Sequence, residues 1–152
     1  MARRSPRWMS VVLVLAGVWN VAWGMWVILF PTLSFAYSGV PRPDRPLLYP
    51  QLWQCIGMVV GVYGVAYALA ARDPVRHWPI VLTGLLGKLF CPLGWLYGVL
   101  TGQTPPAAIV TVIPNDLVWW VPFVLILRHA YRESHAGSEA VACEVVEPLV
   151  RK

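Results

Sequence analysis

Four long apolar runs constrain this chain more than any other feature of its sequence. They cover residues 9–30, 51–71, 78–100 and 107–127. A helix of about 20 apolar residues is long enough to cross the hydrocarbon core of a bilayer. The runs therefore predict an all-α fold in which four transmembrane helices, with these boundaries, form a bundle.

The composition excludes the common soluble classes of protein. Hydrophobic residues make up 58% of the 152 residues and charged residues only 12%, whereas an ordinary soluble domain carries about 25% charged residues. The net charge of +5 comes from an amino-terminal arginine cluster, short loops and the carboxyl-terminal end. It forms no basic stripe of the kind that binds nucleic acid. Lipid is therefore an expected partner, and nucleic acid is not.

The segments between the runs predict the domain organisation. Residues 31–50 contain so many prolines that we expect neither a strand nor a helix there, whereas "RDPVRH" and "TGQTPP" are typical of short turns. From about residue 133 the chain is polar and contains small residues. We therefore expect a membrane domain over residues 1–132 and a flexible cytoplasmic tail over residues 133–152.

Lysines and arginines outside the runs predict the orientation, because cytoplasmic loops are enriched in them. If the chain starts inside, the inner side carries Arg3, Arg4, Arg7, Arg72, Arg76, Arg128, Arg132, Arg151 and Lys152, and the outer side carries Arg42 and Arg45. The first run is longer than the core of a secretory signal and lacks an A-x-A site, so we expect a retained anchor. The sequence thus predicts a multi-pass protein of a bacterial inner (plasma) membrane with both termini in the cytoplasm.

Two opposite charges interrupt the apolar runs at the same depth. Lys88 lies about ten residues into the third run, and Asp116 about eleven residues before the end of the fourth. At 1.5 Å per residue both lie roughly 15 Å deep, and a helix that ended at either residue would be too short to cross the bilayer. A charge at this depth costs several kcal/mol unless it is paired. We therefore expect Lys88 and Asp116 to be partners.

Further polar and aromatic side chains are expected near this depth. Asn20 lies near the middle of the first run, and Asn115 directly precedes the acid. Trp119 and Trp120 follow it and are expected to close an aromatic cavity, in which an apolar or cationic ligand can stack. The candidate polar cluster or ligand site therefore comprises Lys88, Asp116, Asn115, Asn20 and Trp119.

Prolines and glycines inside the runs predict how the helices bend and pack. Pro92 follows Lys88 by one turn and Pro114 precedes Asn115, so both charged helices are expected to kink and to free backbone carbonyls as partners. Small residues spaced four apart allow two helices to approach closely. Such pairs are Gly57 with Gly61 and Gly94 with Gly98.

The remaining reactive residues do not form a recognisable catalytic set. Cys55, Cys91 and Cys143 are far apart and include no C-x-x-C, so neither a disulfide framework nor a metal cage is indicated. No histidine falls within a run, where an axial haem ligand would be needed. We therefore expect no metal, no cofactor and no catalytic residues, and the sequence disfavours an enzyme.

Several motifs resemble one family. The segments "LWQCIGM", "ARDPVRHWPIVL", "GLLGK" and "NDLVWW" are similar to those of a group of small bacterial four-helix membrane proteins of unknown role, over nearly all of residues 9–128. Some members of this group carry the label alkyl hydroperoxide reductase. The resemblance implies a four-helix fold and draws attention to Lys88, Asn115 and Asp116. A thiol peroxidase would need an activated thiolate, and Cys91 lies one turn from Lys88.

These observations leave three hypotheses about function. The first is an accessory or small-ligand-binding membrane protein, in which the Lys88–Asp116 cluster stabilises the bundle and lines a ligand site. The alternative is a small proton-coupled transporter that uses Asp116 as the titrating group and Lys88 as its counter-charge. A membrane enzyme is the third. The candidate protein partners are another membrane protein or a second copy of the chain.

Overall fold

The computed structural model describes residues 5–39 and 47–150 of the chain, with side chains described through residue 134. Within these ranges the protein is entirely helical. In chain order the first helices are α1 (Arg7–Leu29), α2 (Pro31–Tyr37), α3 (Pro50–Ala70) and α4 (Trp78–Leu100).

The fourth long helical segment is built from several kinds of helix. A 3₁₀ turn (Pro106–Ala108) leads into α5 (Ile109–Val112), a π-helical turn (Ile113–Leu117) and α6 (Val118–Val150). The part of this segment that is apolar and long enough to cross a membrane is Pro106–Ser134, which we call the fourth span.

The prediction of four helices that can span a membrane is confirmed for the described ranges. α1, α3, α4 and the fourth span are each long and apolar enough. α3, α4 and the fourth span each start on or next to a proline. Proline has no N–H, and the first turn of a helix tolerates it because the N–H groups of that turn have no helical partner. This is why the predicted starts agree with the observed ones to within one residue for these three.

One helix was not expected. Pro31–Tyr37 forms the two-turn helix α2, although the density of prolines in residues 31–50 predicted neither a strand nor a helix. Pro31 is at the first helical position, where its fixed φ favours the helix, and the next proline falls only at position 41. The prolines of "PRPDRP" lie in residues 41–46, outside the described residues.

The end of the fourth span also differs from the prediction. We expected the membrane helix to end at residue 127 and a loose tail to begin at 133, whereas α6 continues as one helix to Val150. Residues 128–150 contain alanines and glutamates and no proline before position 148, so their intrinsic helix propensity is high. The polarity of this segment thus indicated where the apolar part ends, but not where the helix ends.

Helices α1 and α3 pack closely through glycines. A Cβ atom on Gly17 would lie 2.8 Å from the carbonyl oxygen of Gly64, and a Cβ atom on Gly24 would overlap the backbone at Gly57 and Gly61. The predicted close approach at Gly57 and Gly61 is therefore confirmed, and their neighbour is α1.

The second glycine pair does not form a helix crossing. Within the described residues, a Cβ atom on Gly94 would meet nothing within 4 Å, and one on Gly98 would meet the side chain of Thr104 in the following turn. Gly98 thus supports the turn after α4. This part of the glycine prediction was wrong because spacing alone does not say which face of a helix is covered.

A hydrophobic core fills one end of the bundle, which we call the core end. Its buried residues are Met9, Leu13, Ala16, Tyr67, Ala70, Ala71, Val81, Leu85, Phe123 and Ile126. The Tyr67 and Phe123 rings meet edge to face, with centroids 5.2 Å apart. Ser5 Oγ donates a hydrogen bond to Asp73 Oδ1 at 3.4 Å, so the start of α1 and the turn after α3 lie at this same end.

The outer surface of the bundle is apolar. Val18, Val62 and Val121, on three different helices, expose 64%, 68% and 68% of their surfaces. Soluble monomers rarely expose apolar patches beyond a few hundred Å². The surface is therefore compatible with hydrocarbon around the four long helices.

Candidate functional site

A cavity of about 380 Å³ lies between the four long helices, next to the hydrophobic core. All four contribute to its wall: α1 with Asn20, α3 with Tyr63, α4 with Lys88 and the fourth span with Asn115 and Asp116. The four polar residues predicted from their depth, Asn20, Lys88, Asn115 and Asp116, therefore face one shared space.

Lys88 is 4% exposed and connects α4 to the fourth span. Its Nζ atom donates a hydrogen bond to the backbone carbonyl of Asn115. The Trp119 ring lies beside the ammonium, with its centroid 5.9 Å from Nζ, a distance at which cation–π attraction operates. The ammonium is thus held by a carbonyl and an aromatic face.

Asp116 lies in the π-helical turn and is 3% exposed. The side-chain amide of Asn115 donates to its Oδ1 atom at 3.4 Å, a long and weak hydrogen bond. In the described part of the chain no direct ion pair joins Asp116 to Lys88, whose ammonium binds the Asn115 carbonyl instead. The expected pairing is therefore corrected: both charges face the cavity, and Asn115 lies between them.

Three oxygen atoms of this cluster are buried and have no hydrogen-bond partner among the described residues. They are Asn20 Oδ1, Asn115 Oδ1 and Asp116 Oδ2, and we call them the open acceptors. All three belong to residues that line the cavity. A buried acceptor without a donor costs about 1–3 kcal/mol, so the cavity concentrates unsatisfied polar groups on one wall.

Trp119 and Trp120 do not line the cavity, contrary to the prediction that they close it. Trp119 Nε1 donates to the Pro114 carbonyl at 3.0 Å, and Trp120 Nε1 donates to the Lys88 carbonyl at 2.9 Å. Both rings belong to the fourth span and pack against the hydrophobic core. Trp119 therefore supports the site through Lys88 and does not form part of the cavity wall.

The two carbonyls that receive these indole bonds have lost their usual helical partners. Pro92 has no N–H to donate to the Lys88 carbonyl four residues earlier. The Val118 N–H, which would bind the Pro114 carbonyl in an α-helix, donates to Ile113 across the π-helical turn. The prediction that both prolines free backbone carbonyls is confirmed at Lys88, and at Pro114 the π-helical turn has the same effect.

The aromatic wall of the cavity comes from α1 and α3. Trp23, Trp53, Tyr63 and Tyr67 line it, and the Trp23 and Trp53 rings meet edge to face at 6.0 Å. Trp23, Trp53 and Tyr67 were not assigned to the site from the sequence. The spacing of Tyr63 and Tyr67, which puts both on one face of α3, was the available signal.

The cavity opens sideways between α3 and α4. Ile56 and Val59 line the cavity and expose 47% and 57% of their surfaces, and Cys91 lines it from α4 and is also exposed. These three residues lie in the middle of their helices. The opening therefore lies partway along the bundle and faces outward.

Side chains pack against each other at both ends of the cavity. At the core end Gly84 of α4 packs directly against the Tyr67 ring, with no room for a Cβ atom. At the other end Trp53 Nε1 donates to Ser34 Oγ of α2 at 2.9 Å, and the Phe35 ring packs on Trp53 with centroids 5.4 Å apart. The unexpected helix α2 thus covers the end of the cavity away from the core.

The two cysteines whose side chains are described do not form a disulfide. Cys55 and Cys91 lie on the exposed surface of the bundle as free thiols, and Cys143 lies outside the residues whose side chains are described. Among the described residues no three His, Cys, Asp or Glu side chains converge as a metal site would require.

The fold and the cavity define a small helical bundle with four helices able to span a membrane and a partly polar chamber between them. Comparisons of the chain with protein-family models, curated proteins and solved structures found no match. The residues of the chamber are therefore the basis for inferring the function.

Proposed function

We propose that this protein is an integral membrane protein that binds a small ligand in the cavity between its four spans, and that it acts as a binding or accessory protein. The observation that carries this proposal is the set of three open acceptors, Asn20 Oδ1, Asn115 Oδ1 and Asp116 Oδ2, which belong to residues that line the cavity from α1 and from the fourth span. A bound ligand that donates hydrogen bonds would satisfy them.

A purely structural role for the cluster fits the geometry less well. A cluster that only locks helices in register is expected to pair its charges directly and to leave few polar atoms unsatisfied. Here Asp116 keeps one free oxygen, and about 380 Å³ of space remains beside it. That volume lies within the range of small-molecule sites, roughly 300–1,000 Å³.

The proposed location is a bacterial inner membrane, with both termini in the cytoplasm. Arg7, Arg72 and Arg128 adjoin the core end of the bundle, which matches the enrichment of cytoplasmic loops in arginine. We also propose that the chain belongs to the group of small bacterial membrane proteins that it resembles. Three of the motifs that carry this resemblance contain cavity residues: Trp53 in "LWQCIGM", Lys88 in "GLLGK" and Asp116 in "NDLVWW".

The proposal is tested with two glycine variants of α4. Gly87 lines the cavity, and in the described structure a Cβ atom there would meet nothing within 4 Å, so Gly87→Leu fills the chamber without a clash. Gly94 is equally unobstructed on the same helix but does not line the cavity, which makes Gly94→Leu a matched control.

The measurement is photolabelling of the nanodisc-embedded protein with 3-phenyl-3-(trifluoromethyl)diazirine, a small apolar probe, followed by peptide mapping. We expect saturable labelling of cavity residues such as Val59 and Cys91 in the wild type and in Gly94→Leu, and its loss in Gly87→Leu. Labelling that does not saturate, or that is equal in all three proteins, would contradict ligand binding in the chamber.

One observation favours a second candidate, a small proton-coupled transporter. Asp116 lines the cavity, has no direct ion-pair partner among the described residues, and keeps an Oδ2 atom without a hydrogen bond, so its carboxylate is a candidate group for taking up and releasing a proton. In proteoliposomes that contain a pH-sensitive dye, this function predicts proton flux that Asp116→Asn abolishes. Equal dye responses in protein-containing and empty liposomes would exclude it.

A further inference from the structure

We propose that the ligand of this cavity is a neutral, lipid-soluble amphiphile with a hydroxyl or phenol head, which enters sideways from the bilayer between α3 and α4. This inference rests on the proposed function and specifies the chemical class of the ligand and its route. The charges, the walls and the openings of the cavity support it.

The polar residues of the cavity favour a ligand whose head group donates hydrogen bonds and carries no charge. The three open acceptors, Asn20 Oδ1, Asn115 Oδ1 and Asp116 Oδ2, all require donors. A cationic head would face the Lys88 ammonium in the same chamber, and an anionic head would face the acceptor oxygens. Because the charges of Lys88 and Asp116 cancel, a neutral hydroxyl is the head group that meets attraction without repulsion.

The other residues that line the cavity favour a ligand that is apolar beyond its head group. Beyond the polar cluster the cavity is bounded by aromatic rings, Trp23, Trp53 and Tyr63, and by aliphatic side chains, Ile56, Val59 and Val60. Flat aromatic faces and branched aliphatic groups stabilise hydrocarbon or an aromatic ring by burial and stacking. The ligand is therefore polar at one end only.

The openings determine the route. The Tyr67–Gly84 contact lies at the core end of the cavity, and the hydrogen bond from Trp53 to Ser34 of α2 lies at the opposite end. The side between α3 and α4 is open at Val59 and Cys91, in the middle of both helices. A ligand that arrives there comes from the hydrocarbon, and its tail can remain in the lipid while its head reaches Asp116.

The test is a competition experiment on the full chain in nanodiscs with three molecules that carry the same octyl tail. Each competes against 3-phenyl-3-(trifluoromethyl)diazirine for saturable labelling of the cavity. 4-Octylphenol has a neutral donor head, 4-octylanisole has the same shape without the donor, and octylammonium has a cationic head. The phenol can donate a hydrogen bond to the open acceptors and the anisole cannot, whereas the ammonium is repelled by Lys88. We therefore expect 4-octylphenol to compete at a concentration at least tenfold lower than the other two.

Two variants connect this preference to the wall. Asn20→Leu removes one open acceptor and keeps the branching at Cγ, and we expect it to reduce the preference for 4-octylphenol over 4-octylanisole severalfold. Gln54→Leu is the control, because Gln54 is a polar residue of α3 that binds the Ile28 carbonyl and does not line the cavity. It is expected to keep the wild-type preference.

Each outcome decides one point. If 4-octylanisole competes as well as 4-octylphenol, if octylammonium is the strongest competitor, or if Asn20→Leu keeps the full preference, the inferred ligand class is wrong while the binding function stands. If the probe labels the cavity saturably but none of the three displaces it, the ligand class is wrong; if the labelling does not saturate at all, the proposed function itself fails. Should Asn20→Leu not insert, the comparison of the three competitors on the wild type still decides the ligand class.

Discussion

Lys88 can remain inside an apolar helix because three features of the structure compensate its charge. Its ammonium donates to the Asn115 carbonyl, lies 5.9 Å from the centroid of the Trp119 ring, and shares a cavity with the Asp116 carboxylate. The fourth span supplies all three, so this one side chain ties α4 to it. The lysine is best understood as a bridge between two helices that also sets the charge of the chamber.

Replacement of Lys88 by methionine is expected to lower the stability of the bundle strongly. Lys88→Met leaves Asp116 buried without a compensating charge, and the loss of one member of a buried charged set costs about 3–5 kcal/mol. Adding Asp116→Leu removes the uncompensated charge, so the double variant should recover most of the loss. Unfolding in a detergent titration measures both. A double variant no more stable than Lys88→Met would show that the two charges do not compensate each other.

The sequence located the cluster but not the direction of every side chain in it. Depth alone predicted that Asn20, Lys88 and Asp116 share one level, because rise per residue is fixed in a helix. Trp119 and Trp120 were assigned to the cavity because they closely follow Asp116. The π-helical turn Ile113–Leu117 inserts an extra residue, which rotates all later side chains by about 100°. No periodicity in the sequence reveals that insertion.

The irregular elements of the bundle are stabilised by indole groups. Pro92 interrupts the hydrogen bonds of α4 and the π-helical turn interrupts those of the fourth span, and in each case a tryptophan donates to the carbonyl left over. In hydrocarbon a free backbone carbonyl is costly because no water can bind it. Trp119 and Trp120, which follow the acid, therefore satisfy the two carbonyls that Pro92 and the π-helical turn leave without a helical partner.

Removal of the Trp120 indole N–H tests whether this group stabilises α4 by binding the Lys88 carbonyl. Trp120→Phe leaves the Lys88 carbonyl unsatisfied and should lower the free energy of unfolding by about 1–3 kcal/mol. Trp95→Phe is a matched control, since the Trp95 N–H is buried without a partner in the described structure and its removal should cost no hydrogen bond. In a Pro92→Ala background the new N–H can bind the Lys88 carbonyl, so Trp120→Phe should then cost less. An equal cost for both tryptophan variants would disprove the role of Trp120.

The pairing of α1 with α3 depends on backbone proximity, and two alanine variants of α3 separate this from helix propensity. Gly64→Ala places a Cβ atom 2.7 Å from the Gly17 carbonyl oxygen, so it should force the helices apart and destabilise the protein. Gly61→Ala points into open space among the described residues and should stabilise α3 by up to about 1 kcal/mol. Thermal unfolding of both variants measures the difference. If Gly64→Ala were as stable as Gly61→Ala, the close approach of α1 and α3 would be disproved.

The molecule as a whole divides into a packed half and a hollow half. The core end holds the buried cluster around Tyr67 and Phe123, and the cavity occupies the region between Tyr67 and α2. Hydrophobic length predicted the four long helices because crossing a bilayer imposes it. The hollow half could not be predicted, because it depends on where α3 and α4 separate and on the presence of α2. The many prolines in residues 31–50 had argued against a helix there.

The central claim is that the chamber lies within hydrocarbon and opens toward lipid. A nitroxide label on the native Cys91, with Cys55 and Cys143 replaced by serine, reports on the opening in reconstituted bilayers. We expect its relaxation to be strongly enhanced by oxygen, which concentrates in lipid, and hardly changed by a water-soluble nickel chelate. Strong enhancement by the nickel chelate would place the opening in water and contradict the account.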